Sequence, residues 1–343
     1  EICDLVDAEW FAGWLAFRFE KKPEKAQKHF LVVYNSSKSS ISKARGAYWL
    51  GRVYQKLKND QQAEKFYKLA AEYGFTYYGM LASSELGHKN LSIKSPPEIL
   101  EQDKLSLSKN QYAQIAEFFC YSSKQEMIKY YAKQAFMSAK SKGEIALLHS
   151  RLRKNLDLHW RVEVAKLASQ AGLLILEDSF PLPYKIPKNV LEVPLVYAIM
   201  RQESVFDVKA TSYADAQGLM QIRPATAKAL AQELGIKYEP GKIYNPEYNI
   251  KLGSYYLERE LKANDSYIKT ACEYNAGPVS KKWDERFGNP NGMKLRQVID
   301  WVELIPYEQT RTYVQRIIEN MQIYRYVIQN DKRLHIARDL TRG

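Results

Sequence analysis

The 343-residue sequence lacks the features that mark several common protein classes. Its three cysteines, Cys3, Cys120 and Cys272, lie far apart and form no CxxC pair. This spacing argues against a disulfide scaffold and against a cysteine-bound zinc site. No run of about 18 apolar residues occurs, so no membrane-spanning segment is predicted. The motifs GxGxxG, HExxH and GxSxG are also absent, which leaves no sign of a dinucleotide site, a zincin helix or a serine-hydrolase turn.

The part of the sequence with the most candidate site residues contains no histidine. None of the histidines falls within residues 190–330; they are His29, His88, His149, His159 and His335. Reactions that depend on histidine or on a bound metal are therefore not expected. We predict no metal site and no cofactor.

Acidic residues are outnumbered: 51 Lys and Arg stand against 39 Asp and Glu, which gives a net charge of +12. A basic surface favours a polyanionic partner such as nucleic acid, an acidic membrane or an anionic cell-wall polymer. Alternatively, the excess is spread over solvated helix faces, because no compact arginine-rich block occurs. No nucleic-acid motif accompanies the charge, so no nucleic-acid partner is predicted.

The first half of the sequence indicates paired helices. Tyr54, Ala63 and Tyr67 are separated by 9 and 4 positions, and the same spacing occurs 37 residues earlier, from Phe17. This spacing is typical of tetratricopeptide-type helix pairs, in which small residues let the helices approach closely. Ordinary amphipathic helix pairing is an equal alternative. Either way, this part is predicted to be a helical scaffold with no evident chemistry of its own.

Proline-rich breaks divide the sequence. Residues 88–100 are rich in Pro and Ser, and residues 180–194 contain four prolines, which cannot occupy helix interiors. We therefore predict a helical superhelical segment at 1–90, a helical linker domain at 91–185 and a catalytic domain at 186–343. The last part has short helices punctuated by Gly, Asn and Pro, an arrangement that often carries functional sites.

An acid lies within the apolar stretch "AIMRQESVF", residues 198–206. Helical spacing places Glu203 on one stripe with Ile199, Met200 and Phe206. A carboxyl group against apolar surface has a raised pKa and can act as a general acid. The alternative is a Glu at the edge of the stripe that pairs with Arg201 or with a distant Lys.

Polar and aromatic residues follow that suit a carbohydrate groove. Gly218 allows a tight turn, and Gln221 offers both donor and acceptor atoms. Tyr274 and Asn275 precede a sharp Ala-Gly-Pro stop. Sugars stack their apolar faces on Tyr and pair their hydroxyl and acetamido groups with Asn and Gln.

Four motifs occur in order over residues 190–328: "RQESVF", "GLMQIRPATA", "YNAG" and "IPYEQTRTYVQRI". In order and approximate spacing they resemble soluble lytic transglycosylases with a goose-type lysozyme-like catalytic domain. The segments "YWLGR" and "YYGMLA" resemble the superhelix that precedes that domain in large periplasmic members. The resemblance implies a mainly α fold, in which an α-helical superhelix of tetratricopeptide-like helix pairs precedes a mostly helical, lysozyme-like domain.

The resemblance also implies residue roles. Glu203 matches the catalytic acid and base, and Met220 matches a position that shapes the cleft. The residues that match those lining the cleft or holding the glycan are Ser212, Gln221, Tyr274, Asn275, Glu308 and Tyr313. Two positions depart from the family pattern. Asp215 stands where Gly is usual, which suggests a tighter loop, and Glu273 stands where a small residue is usual, so it either adds charge near the site or points to solvent.

An ordinary glycosidase needs two carboxylates at defined separations. The candidates for a second one are Asp207, Asp215, Glu273 and Glu308, and none has the sequence context of a nucleophile or base. The resemblance implies a reaction that needs one acid, the non-hydrolytic cleavage of the MurNAc-β-1,4-GlcNAc bond of peptidoglycan with 1,6-anhydromuramoyl products. The alternatives are a hydrolytic muramidase and a catalytically silent binding scaffold.

The implied substrate and the helical array also suggest a location and partners. The expected location is the periplasm of a Gram-negative bacterium, with the signal peptide absent from this chain. Peptidoglycan glycan strands are the expected partner. The superhelix offers a surface for cell-wall or periplasmic proteins.

Overall fold

The computed structural model describes residues 2–122, 124–188 and 190–343, with side chains from residue 5 onward. Over these residues the chain forms helices and no β-strand, so the predicted mainly α class is confirmed. Two isolated antiparallel bridges join Thr211 to Gln217 and Gln217 to Ile222. The chain divides into two compact units, residues 1–179 and 180–343.

The first unit is built from helices α1 to α11 and one 3-10 turn at Arg153–Asn155. The bounds are α1 Ile2–Arg18, α2 Pro23–Ser36, α3 Ser40–Lys56, α4 Asp60–Ala71, α5 Tyr77–Glu85, α6 Glu101–Ser108, α7 Gln111–Phe119, α8 Glu126–Met137, α9 Lys142–Leu152, α10 Leu158–Gln170 and α11 Leu176–Ser179.

Consecutive helices pair in the first unit, as the repeated spacing predicts. Helix α1 packs on α2, α2 on α3, and α3 on α4. Small residues sit where the pairs are closest: a Cβ on Gly13 would lie 2.6 Å from the Phe30 ring, and one on Gly51 would lie 2.5 Å from the Tyr67 ring. Trp49 is fully buried at the centre of this aromatic core. Large rings opposite glycines therefore set the helix spacing.

A second apolar core joins α6 to α10 within the same unit and includes Leu107, Phe136 and Leu152. The three-part domain division stays a prediction. Two cysteines, Cys120 and Cys272, are free and buried. The side chain of Cys3 lies outside the described residues.

One buried carboxylate in the first unit, Asp178, is matched by cations. Asp178 is buried, and the Arg153 Nε lies 2.6 Å from its Oδ2 while the Arg161 Nε donates to its Oδ1 at 2.9 Å. The His149 Nε2 lies 3.3 Å from Oδ2. Burial alone would raise the pKa of Asp178, but the two arginine hydrogen bonds outweigh burial and hold the pKa below its usual value. Burial lowers the pKa of His149 to about 4, so this imidazole is neutral at pH 7.

The second unit contains helices α12 to α19 and a 3-10 turn at Pro240–Tyr244. The bounds are α12 Val193–Glu203, α13 Pro224–Glu233, α14 Pro246–Asn264, α15 Tyr267–Ala276, α16 Ser280–Phe287, α17 Leu295–Glu303, α18 Glu308–Gln329 and α19 Ile336–Leu340.

The long helix α18 is the centre of the second unit. Helices α12 and α15 both pack on it, and α14 packs on α15. Its core-facing side includes Ile317 and Met321, which are fully buried. Arg201 of α12 donates to the Asn320 Oδ1 at 2.8 Å across this interface. In the described parts of the chain, no helix is long and apolar enough to cross a membrane.

Candidate active site

Glu203 is the last residue of α12. The two residues after its neighbour Ser204 have left-handed backbone, with φ of +51° at Val205 and +61° at Phe206. A β-branched residue rarely adopts this conformation, and such strain is concentrated at functional sites. The prediction that Phe206 continues the helical stripe is wrong, because the chain turns sharply after Glu203. The negative end of the α12 dipole adds to the cost of ionising Glu203.

Among the described residues, Glu203 has the Tyr313 phenol as a neighbour and no cation paired with it. The Tyr313 hydroxyl donates to the Glu203 Oε1 at 2.6 Å. Burial raises the pKa of Glu203 to about 7, although the Tyr313 hydrogen bond opposes the shift. Arg201, which the sequence offered as a partner, points to Asn320 instead. In the described structure no Lys or Arg forms an ion pair with Glu203.

Tyr313 and Tyr274 lie near this carboxyl group, and Tyr256 lies against Tyr274. The Tyr274 hydroxyl donates to the backbone carbonyl of Met220 at 2.8 Å, and its ring lies 5.3 Å from that of Tyr256. Burial, and then the charge of Glu203, raise the pKa of Tyr274 and of Tyr313 well above their usual value. Both phenols therefore stay protonated at any ordinary pH. Tyr256 was not predicted as a site residue, because in sequence it is one of many tyrosines on an amphipathic helix.

The "GLMQ" segment is held by side chains that the sequence does not single out. The Ser204 Oγ donates to the carbonyl of Leu219 at 2.8 Å. Asn249 is fully buried; its amide donates to the carbonyls of Gln217 and Ile243 and accepts from the Met220 N–H. A Cβ on Gly218 would collide with the Asn249 amide. With φ at +73°, Gly218 therefore serves the tight turn that was predicted and also leaves room for Asn249.

Met220 and Gln221 are fixed within this loop. The Met220 side chain is fully buried and packs against Gly253 of α14, so it supports the cleft from beneath. Gln221 is partly exposed with φ at +49°, and its Nε2 donates to the carbonyls of Ala210 and Gly218. The amide of Gln221 therefore braces the loop through its donor atom.

Asn275 occupies the last turn of α15, and the Thr310 Oγ1 of α18 donates to its Oδ1 at 2.8 Å. Asn275 is partly exposed and Thr310 is buried. Helix α15 ends at Ala276 and is capped by Gly277, whose φ is +78°. Glu273, two residues before Asn275, accepts hydrogen bonds from Ser280 and from Asn264, the latter at 2.9 Å. Its carboxylate is therefore engaged rather than pointing freely to solvent.

Ser212 lies on an exposed turn. Its Oγ accepts from the Ala216 N–H at 3.0 Å, and its carbonyl accepts from the Asp215 N–H. Asp215 has φ of +60°, a left-handed conformation that Asp tolerates better than most residues other than Gly. This explains how Asp can stand where the family pattern has Gly. No described contact joins Ser212 to Glu203.

Glu308 is exposed in the first turn of α18. It lies five residues before Tyr313 and so on a different side of the helix, whereas Gln309 and Thr310 lie one turn before Tyr313 on the same side. Asp207 accepts from the Lys209 N–H at 2.8 Å, as a turn-forming residue would. None of the four candidate second carboxylates hydrogen-bonds to Glu203 in the described structure. The described residues also contain no cluster of His, Cys, Asp and Glu suited to a metal ion.

The sequence and the fold of this chain are both similar to those of known proteins. Residues 184–295 match the family described as transglycosylase SLT domain. The soluble lytic murein transglycosylase of Escherichia coli K12 is 30% identical over 293 residues, which cover 81% of this chain and 43% of that protein. The resemblance to soluble lytic transglycosylases is confirmed. The corresponding protein of Salmonella typhimurium LT2 is 29% identical over 294 residues, with the same coverage of both chains.

Solved lytic transglycosylases share the fold. The 70 kDa soluble enzyme of Escherichia coli has a TM-score of 0.65 at 21% identity, over 98% of this chain and 54% of that one. An inactive Glu-to-Gln mutant of the Pseudomonas aeruginosa lytic transglycosylase Slt has a TM-score of 0.64 at 21% identity, over 97% and 59%. The expected helical superhelix and lysozyme-like domain are therefore confirmed. The chain spans less than half the length of the curated relatives described above.

Proposed function

We propose that this chain cleaves the MurNAc-β-1,4-GlcNAc bond of peptidoglycan without water and leaves 1,6-anhydromuramoyl ends. The observation that carries the proposal is a partly buried carboxyl group without a described ion pair, Glu203, whose pKa is raised to about 7 and which accepts a hydrogen bond from the Tyr313 phenol. A carboxyl group in this environment can be protonated at neutral pH and still accept a proton back.

The first step is proton donation. Protonated Glu203 gives its proton to the glycosidic oxygen as the bond from that oxygen to C1 of MurNAc breaks. The acetamido oxygen of the same sugar attacks C1 and takes up the developing positive charge, as in substrate-assisted glycosidases. Because Tyr313 donates to Oε1, the proton is held on Oε2, the oxygen left for the substrate.

The second step returns the enzyme to its starting state. Ionised Glu203 removes the proton from the C6 hydroxyl of MurNAc, and O6 attacks C1 as the acetamido oxygen leaves. The nucleophile belongs to the substrate, so the step has the large effective concentration of an intramolecular reaction. Glu203 is protonated again and no water is consumed.

The roles of the cleft residues belong to the same proposal. Tyr274 and Met220 form the wall beside Glu203 through their hydrogen bond, and Gln221 holds the loop. Asn275 offers an amide to the glycan, while Ser212 and Glu308 are exposed and can meet sugar units farther along the strand.

Partners and location follow from the substrate. We place the chain in the periplasm on peptidoglycan strands, with the helical array open to cell-wall or periplasmic proteins. The net charge of +12 suits the carboxylates of the polymer.

Digestion of purified sacculi with mass spectrometry of the released fragments tests the reaction. The proposal predicts anhydromuramoyl ends in every released fragment. Reducing muramic acid ends would instead identify a hydrolytic muramidase, and the absence of any released product would favour a binding scaffold. The Glu203→Gln variant is the matched control, since the Pseudomonas aeruginosa relative with a Glu-to-Gln change is inactive.

A further inference from the structure

Groups from several elements form hydrogen bonds with side chains near the C-terminal end of α15. Glu273 is held by Ser280 and Asn264, and Tyr274 is held by the Met220 carbonyl. Asn275 is held at its Oδ1 by Thr310. Three consecutive side chains of α15 are thus fixed by groups elsewhere in the same unit.

The Asn275 amide has an acceptor, Oδ1, and a donor, Nδ2, and the Thr310 hydroxyl donates to the acceptor. The hydroxyl of Thr310 lies 2.8 Å from Oδ1, and Thr310 itself is only 2% exposed. Within the described parts of the chain, the Asn275 Nδ2 has no hydrogen-bond partner, while the residue keeps part of its surface in solvent. An amide that accepts at one end must present its N–H donors at the other.

We infer that Thr310 is a positioning residue, which turns the Asn275 amide so that Nδ2 donates to a carbonyl or hydroxyl oxygen of the glycan. This inference rests on the proposed function and extends it to a residue for which neither the motifs nor the comparisons gave a role. Without the hydroxyl, the amide can rotate, and its acceptor oxygen then faces the ligand for part of the time. A pre-oriented donor costs less to immobilise when the ligand binds.

Two substitutions separate orientation from packing. Thr310→Val keeps the branched shape and removes the hydroxyl, whereas Thr310→Ser keeps the hydroxyl. Every protein in the binding test also carries Glu203→Gln, so that the ligand is not consumed. Affinity for a β-1,4-linked GlcNAc tetramer is measured by calorimetry, and melting temperature is recorded for each protein.

Loss of one oriented hydrogen bond predicts roughly 5- to 10-fold weaker binding for Thr310→Val, with Thr310→Ser close to the parent. In an Asn275→Ala background, Thr310→Val is expected to change affinity less than about 2-fold, because Thr310 acts through Asn275. On sacculi, with Glu203 intact, Thr310→Val is expected to raise KM more than it lowers kcat and to leave the pH profile unchanged.

Several results would overturn this role. Parent-like binding by Thr310→Val, or equally weak binding by Thr310→Ser, would do so. The role would also fail if Thr310→Val weakened binding as much in the Asn275→Ala background as in the parent. It would fail too if Thr310→Val lowered the melting temperature and left the affinity unchanged. These outcomes leave the proposed function standing if sacculi still yield anhydromuramoyl ends. If the Glu203→Gln protein does not bind the tetramer at all, the proposed cleft and the role of Thr310 both fail.

Discussion

Asp178 in the first unit is buried and Glu203 in the second is partly buried, and the pKa values of these two carboxyl groups shift in opposite directions. Asp178 in the first unit lies against two arginines, which hold its pKa below the usual value despite burial. Glu203 in the second unit lies against a tyrosine, and burial raises its pKa to about 7. The different hydrogen-bond partners therefore give a permanent anion in one place and a titrating acid in the other.

The difference lies in what each group can do. A buried carboxylate paired with cations links the chain segments around it and keeps its charge near neutral pH. A buried carboxyl group with a neutral donor is poorly stabilised as an anion, so it can exchange a proton at neutral pH. The first arrangement is suited to a scaffold and the second to proton transfer.

The largest effect is expected from Glu203→Gln. The amide cannot donate or accept the proton, so the rate of sacculus digestion is predicted to fall by at least roughly 10²–10⁴-fold, the usual worth of general acid–base catalysis. Glu285→Gln on α16 is the control, because Glu285 is an exposed acid of the same unit. Substantial turnover by Glu203→Gln would remove Glu203 from the reaction.

The matching change in the first unit is Asp178→Asn. Removing the anion leaves His149 and the two arginines without their partner, and we predict a loss of about 3 kcal/mol in unfolding free energy. The loss falls at the lower end of the usual range because Arg153 and Arg161 keep 33% and 30% exposure. Chemical denaturation measures it. The Glu177→Gln control, at a site 76% exposed, is expected to change stability little. Equal stability of the two variants would contradict the pairing account.

Glu203 is also expected to make stability depend on pH. Its folded pKa, about 7, lies above the ordinary value of 4.5 that applies when the chain is unfolded. The folded protein therefore binds the proton more tightly, and stability falls as pH rises from about 4.5 through about 7. Glu203→Gln lacks this loss and is predicted to be more stable than the parent at pH 8, by on the order of 1–3 kcal/mol, with the gap closing below pH 5. Parallel stability curves for the two proteins would contradict the raised pKa.

A smaller effect is expected from Tyr313→Phe. The Tyr313 hydrogen bond lowers the pKa of Glu203, so its removal is predicted to raise that pKa further. The high-pH limb of the kcat/KM profile, near pH 7 in the parent, is expected to move to higher pH, and kcat to fall roughly 10-fold. Tyr326→Phe, on a partly buried tyrosine of the same helix, is the control. A limb that moves to lower pH would contradict the assigned hydrogen bond.

Helix periodicity and short sequence motifs predicted the helices and several site residues, but they did not predict contacts between residues far apart in sequence. Helix periodicity placed Glu203 on an apolar stripe, and the motifs picked out Tyr274, Asn275 and Tyr313. Periodicity also extended the helix to Phe206, because a left-handed turn at a valine and a phenylalanine has no sequence signal.

The residues that orient the site were not predicted because their partners are distant in sequence. Asn249 meets Met220 across 29 positions, and Thr310 meets Asn275 across 35. A buried amide or hydroxyl acquires its role only when packing brings its partner close. The αL conformation of Asp215 likewise depends on a turn closed by Ser212.

The most direct test is to titrate Glu203 itself. Carbon-13 NMR of protein labelled at glutamate side-chain carboxyls, recorded from pH 4 to 9 and compared with Glu203→Gln, isolates one resonance. A partly buried acid that has a neutral hydrogen-bond donor and no ion pair predicts a midpoint near 7 for this resonance. A Glu203 midpoint near 4.5 would contradict the account, because the group would then be ionised at neutral pH and could not begin the reaction as the proton donor.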